Sequence, residues 1–490
     1  MRIREVHKQI LLVLTLIVAI ETFFLVDLEK GHFVHGGTHS QSIVFDTSGF
    51  HPEKLTIHQG DQIVFQNKSD HPFWPASDPH PTHDIYPVFD PKGPVSAGQS
   101  WSFVFNRPGV WKFHDHLASD MVGEITVLDA NGKVLRTECS NKNKNTTECF
   151  EADVNAALNQ KGLDSALDRM ADLYDSEPSF SGSCHSVAHE LGKSAYHLFA
   201  NGEKIKLSGK TSYCSFGFYH GFMEELLQRS GDFDEARSFC AEAGKTLASE
   251  SSNAEGACYH GIGHGVVDGS DPGNFGDAKG IVDPGLKLCE KVDPTEPHFY
   301  RCASGAFNSL AIMLARGEQG LEVKDGNPFA VCDAWTEYNI KNPCYQEMNT
   351  LAMKVADRNF SKGIALVEKI PEARYAVLAM RSFSGVVPAS FSGSSTQNFQ
   401  KVIAACHATR ADLVIPCIQG IPSGIMEFGT PGKEYEPALK FCATDSLSEE
   451  EKVECRDVVF GGIRAYYSKE KQHTICSSVG DVYKSSCLNP

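Results

Sequence analysis

The sequence predicts a multidomain chain: an all-β sandwich followed by an all-α, disulfide-stapled helical-repeat (solenoid) domain. Three observations predict it. Short runs of alternating apolar residues occupy positions 40–130, the apolar period becomes helical beyond position 150, and all 16 cysteines fall between Cys139 and Cys487. With 490 residues the chain exceeds what one hydrophobic core serves, so two or three domains are expected. The formal charge of −17 disfavours nucleic acid as a partner and favours cationic ligands or metal ions.

Residues 10–26 are almost wholly apolar and follow Arg2, Arg4 and Lys8, the pattern of an export signal. Phe23, Phe24 and Leu25 stand where a small-residue cleavage site is needed. An uncleaved N-terminal membrane anchor within residues 1–30 is therefore preferred to a removed signal peptide, although Glu21 weakens it. Either way, the rest of the chain is expected to be extracytoplasmic, in a periplasm or at the cell surface. The cysteines agree. Taken in order they pair into short loops: Cys139–Cys149, Cys184–Cys214, Cys240–Cys258, Cys289–Cys302, Cys332–Cys344, Cys406–Cys417, Cys442–Cys455 and Cys476–Cys487. An even count behind an export signal reads as disulfides of an oxidising compartment.

In the first domain, residues 40–130, the apolar alternation marks strands at Ile43–Phe45, Leu55–Ile57, Ile63–Phe65, Trp101–Phe105, Val110–Phe113 and Ile125–Val127, separated by Gly and Pro. Such spacing predicts an antiparallel sandwich or barrel. Gly49-Phe50-His51-Pro52 leads through Gly60-Asp61 to a strand ending in Asn67, and Gly109-Val110-Trp111-Lys112-Phe113-His114-Asp115-His116 runs on to Met121-Val122-Gly123 and a closing strand. Together these stretches resemble the cupredoxins, in which the first leads to a metal-binding His and the second is the loop of Cys, His and Met. The resemblance implies a plastocyanin-type fold and a copper site, with His71 close to the place of the first ligand. The cysteine is missing, with Phe113, His114 or Asp115 near its place. Type 1 copper needs that thiolate, so a blue electron-transfer centre is not expected. The imidazoles that are present, His71, with His80 and His83 in a Pro-rich insertion and His114 and His116 on the second loop, suit copper together with Met121. Zinc accepts the same nitrogen ligands.

A polar linker, residues 131–150, precedes the helical domain of residues 151–490. Aligning the second cysteine of each pair exposes a repeat: Cys214…His220-Gly221, Cys258…His264-Gly265, Cys302…Asn308, Cys344…Asn349, Cys417…Gly424 and Cys455…Gly462, with a cysteine-free copy near Met380–Gly385. A period near 40 predicts stacked helical hairpins. Only the first units carry histidine: His220 and His264 lie six residues after their cysteine, and His189 lies five after Cys184. Glu224 follows His220 by one turn, and stacking is expected to bring His189, His220 and His264 together with His185 and His260 nearby.

Three readings of function follow. The first is an extracytoplasmic copper-binding protein, an electron carrier if the site is redox-active, whose repeat domain presents a concave surface to a protein partner. The second is a metalloenzyme in which the repeat histidines hold a catalytic ion. The third is an adhesive scaffold without metal, which predicts histidines splayed apart.

Overall fold

The computed structural model describes residues 40–490 except 79–82, 84–85, 87, 129–131, 133–145, 178, 268–270, 388–395 and 490. The apolar N-terminal segment, His80 and Cys139 lie outside the described residues. Among the described residues no helix is long and apolar enough to cross a membrane.

The β-domain contains β1 (Ser40–Asp46), β2 (Gly49–His51), β3 (Lys54–His58), β4 (Gln62–Asn67), β5 (Pro75–Ser77), β6 (Ser100–Val104), β7 (Gly109–Asp115) and β8 (Ala118–Leu128). They form two four-stranded sheets, ordered β2-β1-β4-β6 and β3-β8-β7-β5. Period-two alternation turns Ile43, Phe45, Ile63, Phe65, Ile125 and Val127 inward, where they meet Phe50, Phe73, Phe89, Phe105 and Phe113 in an aromatic-rich core. The sandwich is mixed rather than purely antiparallel, because β1 runs parallel to β4 and β3 parallel to β8. The chain changes sheets after β2, so β3 pairs with the far end of the domain instead of with its sequence neighbour.

The helical domain runs through α1 (Thr147–Lys161), α2 (Leu163–Ser176), α3 (Cys184–Ala200), α4 (Gly217–Ser230), α5 (Phe233–Leu247), α6 (Ala254–Gly265), α7 (Ala278–Val292), α8 (Glu296–Arg316) and α9 (Tyr338–Glu347). It continues through α10 (Asn349–Val355), α11 (Phe360–Val367), α12 (Ala373–Gly385), α13 (Thr396–His407), α14 (Ala411–Phe428), α15 (Tyr435–Cys442), α16 (Glu449–Tyr466), α17 (Lys469–Ser478) and α18 (Asp481–Leu488). The helices form two rows. In the inner row α3, α4, α6, α8, α9, α12, α14 and α16 pack successively, while α5, α7, α11, α13 and α15 back them from outside. Seven disulfides join the cysteines in the order the spacing predicts, most of them linking an outer helix to its inner partner. Cys149 is buried, and its predicted partner Cys139 lies outside the described residues.

The inner row does not stay open as a solenoid. Its C-terminal end returns to its beginning: Ser215 Oγ donates to Glu427 Oε1 at 2.5 Å, Tyr174 donates to the Phe428 carbonyl at 2.5 Å, and Phe216 and Tyr466 lie ring to ring at 5.5 Å. The concave face expected to receive a protein partner is instead the wall of a central cavity of about 640 Å³, sized for a small molecule. Residues two or six places after several of the repeat cysteines line it, among them His260, Ser304 and Gln346, then His220, Asn308 and Ser423.

Glycine makes this ring tight enough to close. A Cβ at Gly305 would stand 1.9 Å from the His260 carbonyl oxygen, and one at Gly221 only 1.8 Å from that of His189. Gly305→Ala is expected to destabilise the protein by about 1–3 kcal/mol through overpacking. Gly461→Ala, whose nearest neighbour is the Arg464 side chain at 4.0 Å, should be neutral or mildly stabilising. Thermal unfolding of the two variants checks this; equal midpoints would mean the inner helices can separate at little cost.

The β-domain rests on the ring. Trp74 meets Phe275 edge to face at 5.6 Å, Lys92 Nζ lies 3.7 Å from Glu318 Oε1, and Gln319 reaches His116 at 3.0 Å.

Candidate metal centres

Among the described residues two clusters of three buried imidazoles converge, one in each domain. In the β-domain they are His83, His114 and His116, whose ligand nitrogens all lie within 4.8 Å of one another. His114 is the penultimate residue of β7, where a bulge between His114 and Asp115 breaks the alternation. Asp115 accepts the Trp74 amide at 2.6 Å and the Leu117 amide at 3.1 Å, which folds the strand end so that His116 also turns inward. His83 belongs to the Pro-rich insertion, and its carbonyl accepts from Ser77 Oγ at 3.0 Å.

Carboxylates behind the rings set the tautomers. His83 Nδ1 donates to Asp90 Oδ2 at 2.6 Å and His114 Nδ1 donates to Asp78 Oδ1 at 2.8 Å, so in each ring Nε2 carries the lone pair. This is the support that metal-binding histidines require. His116 Nδ1 lies 3.0 Å from His83 Nε2, and its own Nε2 lies 3.0 Å from Gln319 Nε2. Two nitrogens on one tetrahedral ion stand about 3.3 Å apart, so little movement separates the hydrogen-bonded cluster from a liganded one. Gln319 can serve both states. Its amide N–H donates to His116 Nε2 when Nδ1 holds the proton, and its oxygen, which is buried and has no other hydrogen bond, accepts from Nε2–H when Nδ1 becomes a ligand. Gln319 adopts left-handed backbone angles, φ 49° and ψ 29°, an arrangement uncommon outside glycine.

Burial holds the His83 imidazole down at a pKa of about 4, against the pull of Asp90. Burial also raises Asp90, but its hydrogen bond with His83 and the charges of His83 and Lys92 outweigh this and keep the carboxylate ionised. Asp78 is likewise kept below the usual range, since His114 and Lys193 outweigh its burial.

In the ring the converging set is His220, His260 and His264. His260 and His264 share one face of α6, and α4 brings His220 against them, with ring centres 4.6 to 5.1 Å apart. Glu224 lies behind: its Oε1 is 3.2 Å from His189 Nε2 and 3.7 Å from His264 Nδ1, and its Oε2 is 3.4 Å from Lys193. Burial lowers all three imidazoles, His264 to about 4. The Lys193 charge acts on both Glu224, which it faces at 3.4 Å, and Asp78.

The predicted residues divide accordingly. His83, His114 and His116 converge. His71 is half exposed and bonded to Asp70 at 2.9 Å, and Met121 packs on the sandwich core with its sulfur 3.5 Å from where a Gly49 Cβ would stand. In the ring His220 and His264 converge with His260, whereas His189 bonds Glu224 beside them. Asp78, Asp90 and Gln319 were missed. An Asp reveals its role only when the fold sets it behind an imidazole, and Gln319 reaches its partner across 203 residues of chain.

With His83 and His264 both neutral when folded, the metal-free protein binds fewer protons than its unfolded chain as pH falls from about 6.5 to 4. Its stability should therefore be complete above pH ~6.5 and decline toward pH ~4, by roughly 3 kcal/mol for each histidine. Urea titrations across that range check it; a flat profile would show the imidazoles solvated.

Comparison with solved structures finds similarity to a purple cupredoxin from Nitrosopumilus maritimus (22% identity over 18% of this chain and 97% of that one, TM-score 0.16). Plastocyanin from Dryopteris crassirhizoma is also similar (20% identity, 18% of this chain and 99% of that one, TM-score 0.16), as is a mutant amicyanin in its reduced form (14%, 19% and 86%, TM-score 0.16). No family model matches the chain. No curated protein matches it either.

Proposed function

We propose that this is an extracytoplasmic copper-binding protein in which His83, His114 and His116 hold one ion at the junction of the β-domain and the helical ring. The observation that carries this reading is the carboxylate-backed convergence of three neutral imidazoles in a buried pocket. The donor set fits a borderline ion with nitrogen ligands, copper or zinc, and it lacks the thiolate of a blue centre. Bound copper would supply a redox couple; the chain's own residues orient the imidazoles through Asp78 and Asp90, exclude water, and would hold the His116 proton at Nε2 against the Gln319 oxygen. The disulfides support folding in an oxidising compartment. An adhesive scaffold with splayed histidines does not describe two converging triads.

The test is copper titration of the chelator-treated full chain, followed by elemental analysis and EPR. The double variant His83→Ala with His116→Ala is expected to bind about one ion fewer per chain than the wild type, and the ion lost should show the wide hyperfine coupling of nitrogen-ligated copper. Equal copper in both proteins, or an intense blue band, overturns the reading.

A further inference from the structure

The histidine cluster of the ring is built differently from that of the sandwich. Its members are 7%, 9% and 4% exposed for His220, His260 and His264. Ser304 Oγ donates to Glu347 Oε1 at 2.5 Å and therefore accepts from His260 Nδ1 at 3.1 Å, which puts the His260 lone pair on Nε2. Ser309 Oγ at 3.2 Å and Glu224 at 3.7 Å flank His264 Nδ1, so its lone pair is also on Nε2. That Nε2, and Nδ1 of His220, are buried without any hydrogen-bond partner. Orphaned buried nitrogens destabilise by about 1–3 kcal/mol each and call for an explanation. An ion bonded to the imidazoles supplies one, and rings on a common ion at 2.0–2.1 Å stand about 5 Å apart, close to the spacing found here.

One side of the cluster is open to a ligand. His220 and His260 line the central cavity, and His264 stands behind them. Arg301 lines the same wall one helical turn before Ser304, with Nε fixed by the Gly256 carbonyl at 3.1 Å. We propose that His220, His260 and His264 form a second metal centre, with an exchangeable coordination position on the central cavity that takes a small anion also held by Arg301. This site does not depend on the one in the sandwich. Three neutral nitrogen ligands and a replaceable fourth ligand are the composition of a centre that binds and activates small molecules.

The experiment uses the full chain carrying His114→Asn and His116→Asn, which removes the sandwich site, and titrates it with cobalt(II) and then azide. About one cobalt per chain is expected, with intense visible bands that azide shifts. Adding His264→Gln should abolish the bands, and adding Arg301→Gln should weaken azide at least about tenfold, the loss of one charge-assisted contact. Absence of bound cobalt in the sandwich-null chain, or its retention in the His264→Gln protein, overturns the site. Bands indifferent to azide overturn the exchangeable position. Should His264→Gln fail to fold by circular dichroism, pulsed EPR of the copper-loaded sandwich-null chain decides: coupling to this full imidazole set supports the centre, and fewer imidazoles overturn it.

Discussion

On the proposed copper site, replacing Asp90 with alanine is expected to lower copper affinity about 10- to 100-fold and to destabilise the β-domain by roughly 3–5 kcal/mol. The effect is large because one buried carboxylate receives four donors: His83 Nδ1 at 2.6 Å, Trp74 Nε1 at 2.8 Å, the Lys92 amide at 2.6 Å and Lys92 Nζ at 2.9 Å. Without it the Lys92 ammonium loses its nearest counter-charge and His83 can rotate or change tautomer. Asp90→Asn separates the two roles, since it keeps an acceptor for Trp74 but removes the charge. Isothermal titration with copper and chemical unfolding of both variants provide the measurement. Wild-type copper affinity in Asp90→Ala would remove His83 from the ligand set.

Complete reduction of the disulfides collapses the helical ring while leaving the sandwich folded. Each of the seven closes a loop of 11 to 30 residues and contributes roughly 2–4 kcal/mol, so together they match or exceed the roughly 5–15 kcal/mol that typically separates a folded domain from its unfolded chain. No cysteine lies in residues 1–138, and Trp74, Trp101 and Trp111, three of the four tryptophans, report on the sandwich. Far-UV circular dichroism is expected to lose its helical signal on reduction, while tryptophan fluorescence from the β-domain changes only through Trp74, which faces Phe275 of the ring. Full helicity after complete thiol titration would show that the packing of the inner row suffices.

Much of the architecture is legible in the residue pattern. Alternation at Ile43–Phe45, Ile63–Phe65 and Ile125–Val127 marks core strands because a two-sided strand must bury one face. The short strands β2 and β5 leave no such trace, having three residues each. The repeat cysteines predict both the pairing and the two rows, since a short loop between them can only join helices adjacent in space. The repeat's histidines also point to a cluster, but the member drawn from α3 does not join the trio. In α3 the cysteine begins the helix, which shifts His189 toward Glu224. His260 and His264, four residues apart on α6, carried the better signal, a shared helix face.

By itself, the sequence determined what local chemistry can determine: strand and helix periods, the division of cysteines between domains, the thiolate missing from the second loop, and the imidazoles available for a metal. Only the tertiary structure decided which imidazoles meet, that Asp78 and Asp90 stand behind them, that Gln319 of the ring completes the sandwich's cluster, and that the repeats close around a cavity. Those outcomes depend on sheet crossing, on the curvature accumulated over many helix pairs and on the docking of one domain against the other. Each sums small rotations and contacts between residues far apart in the chain, which no periodicity within a single segment encodes.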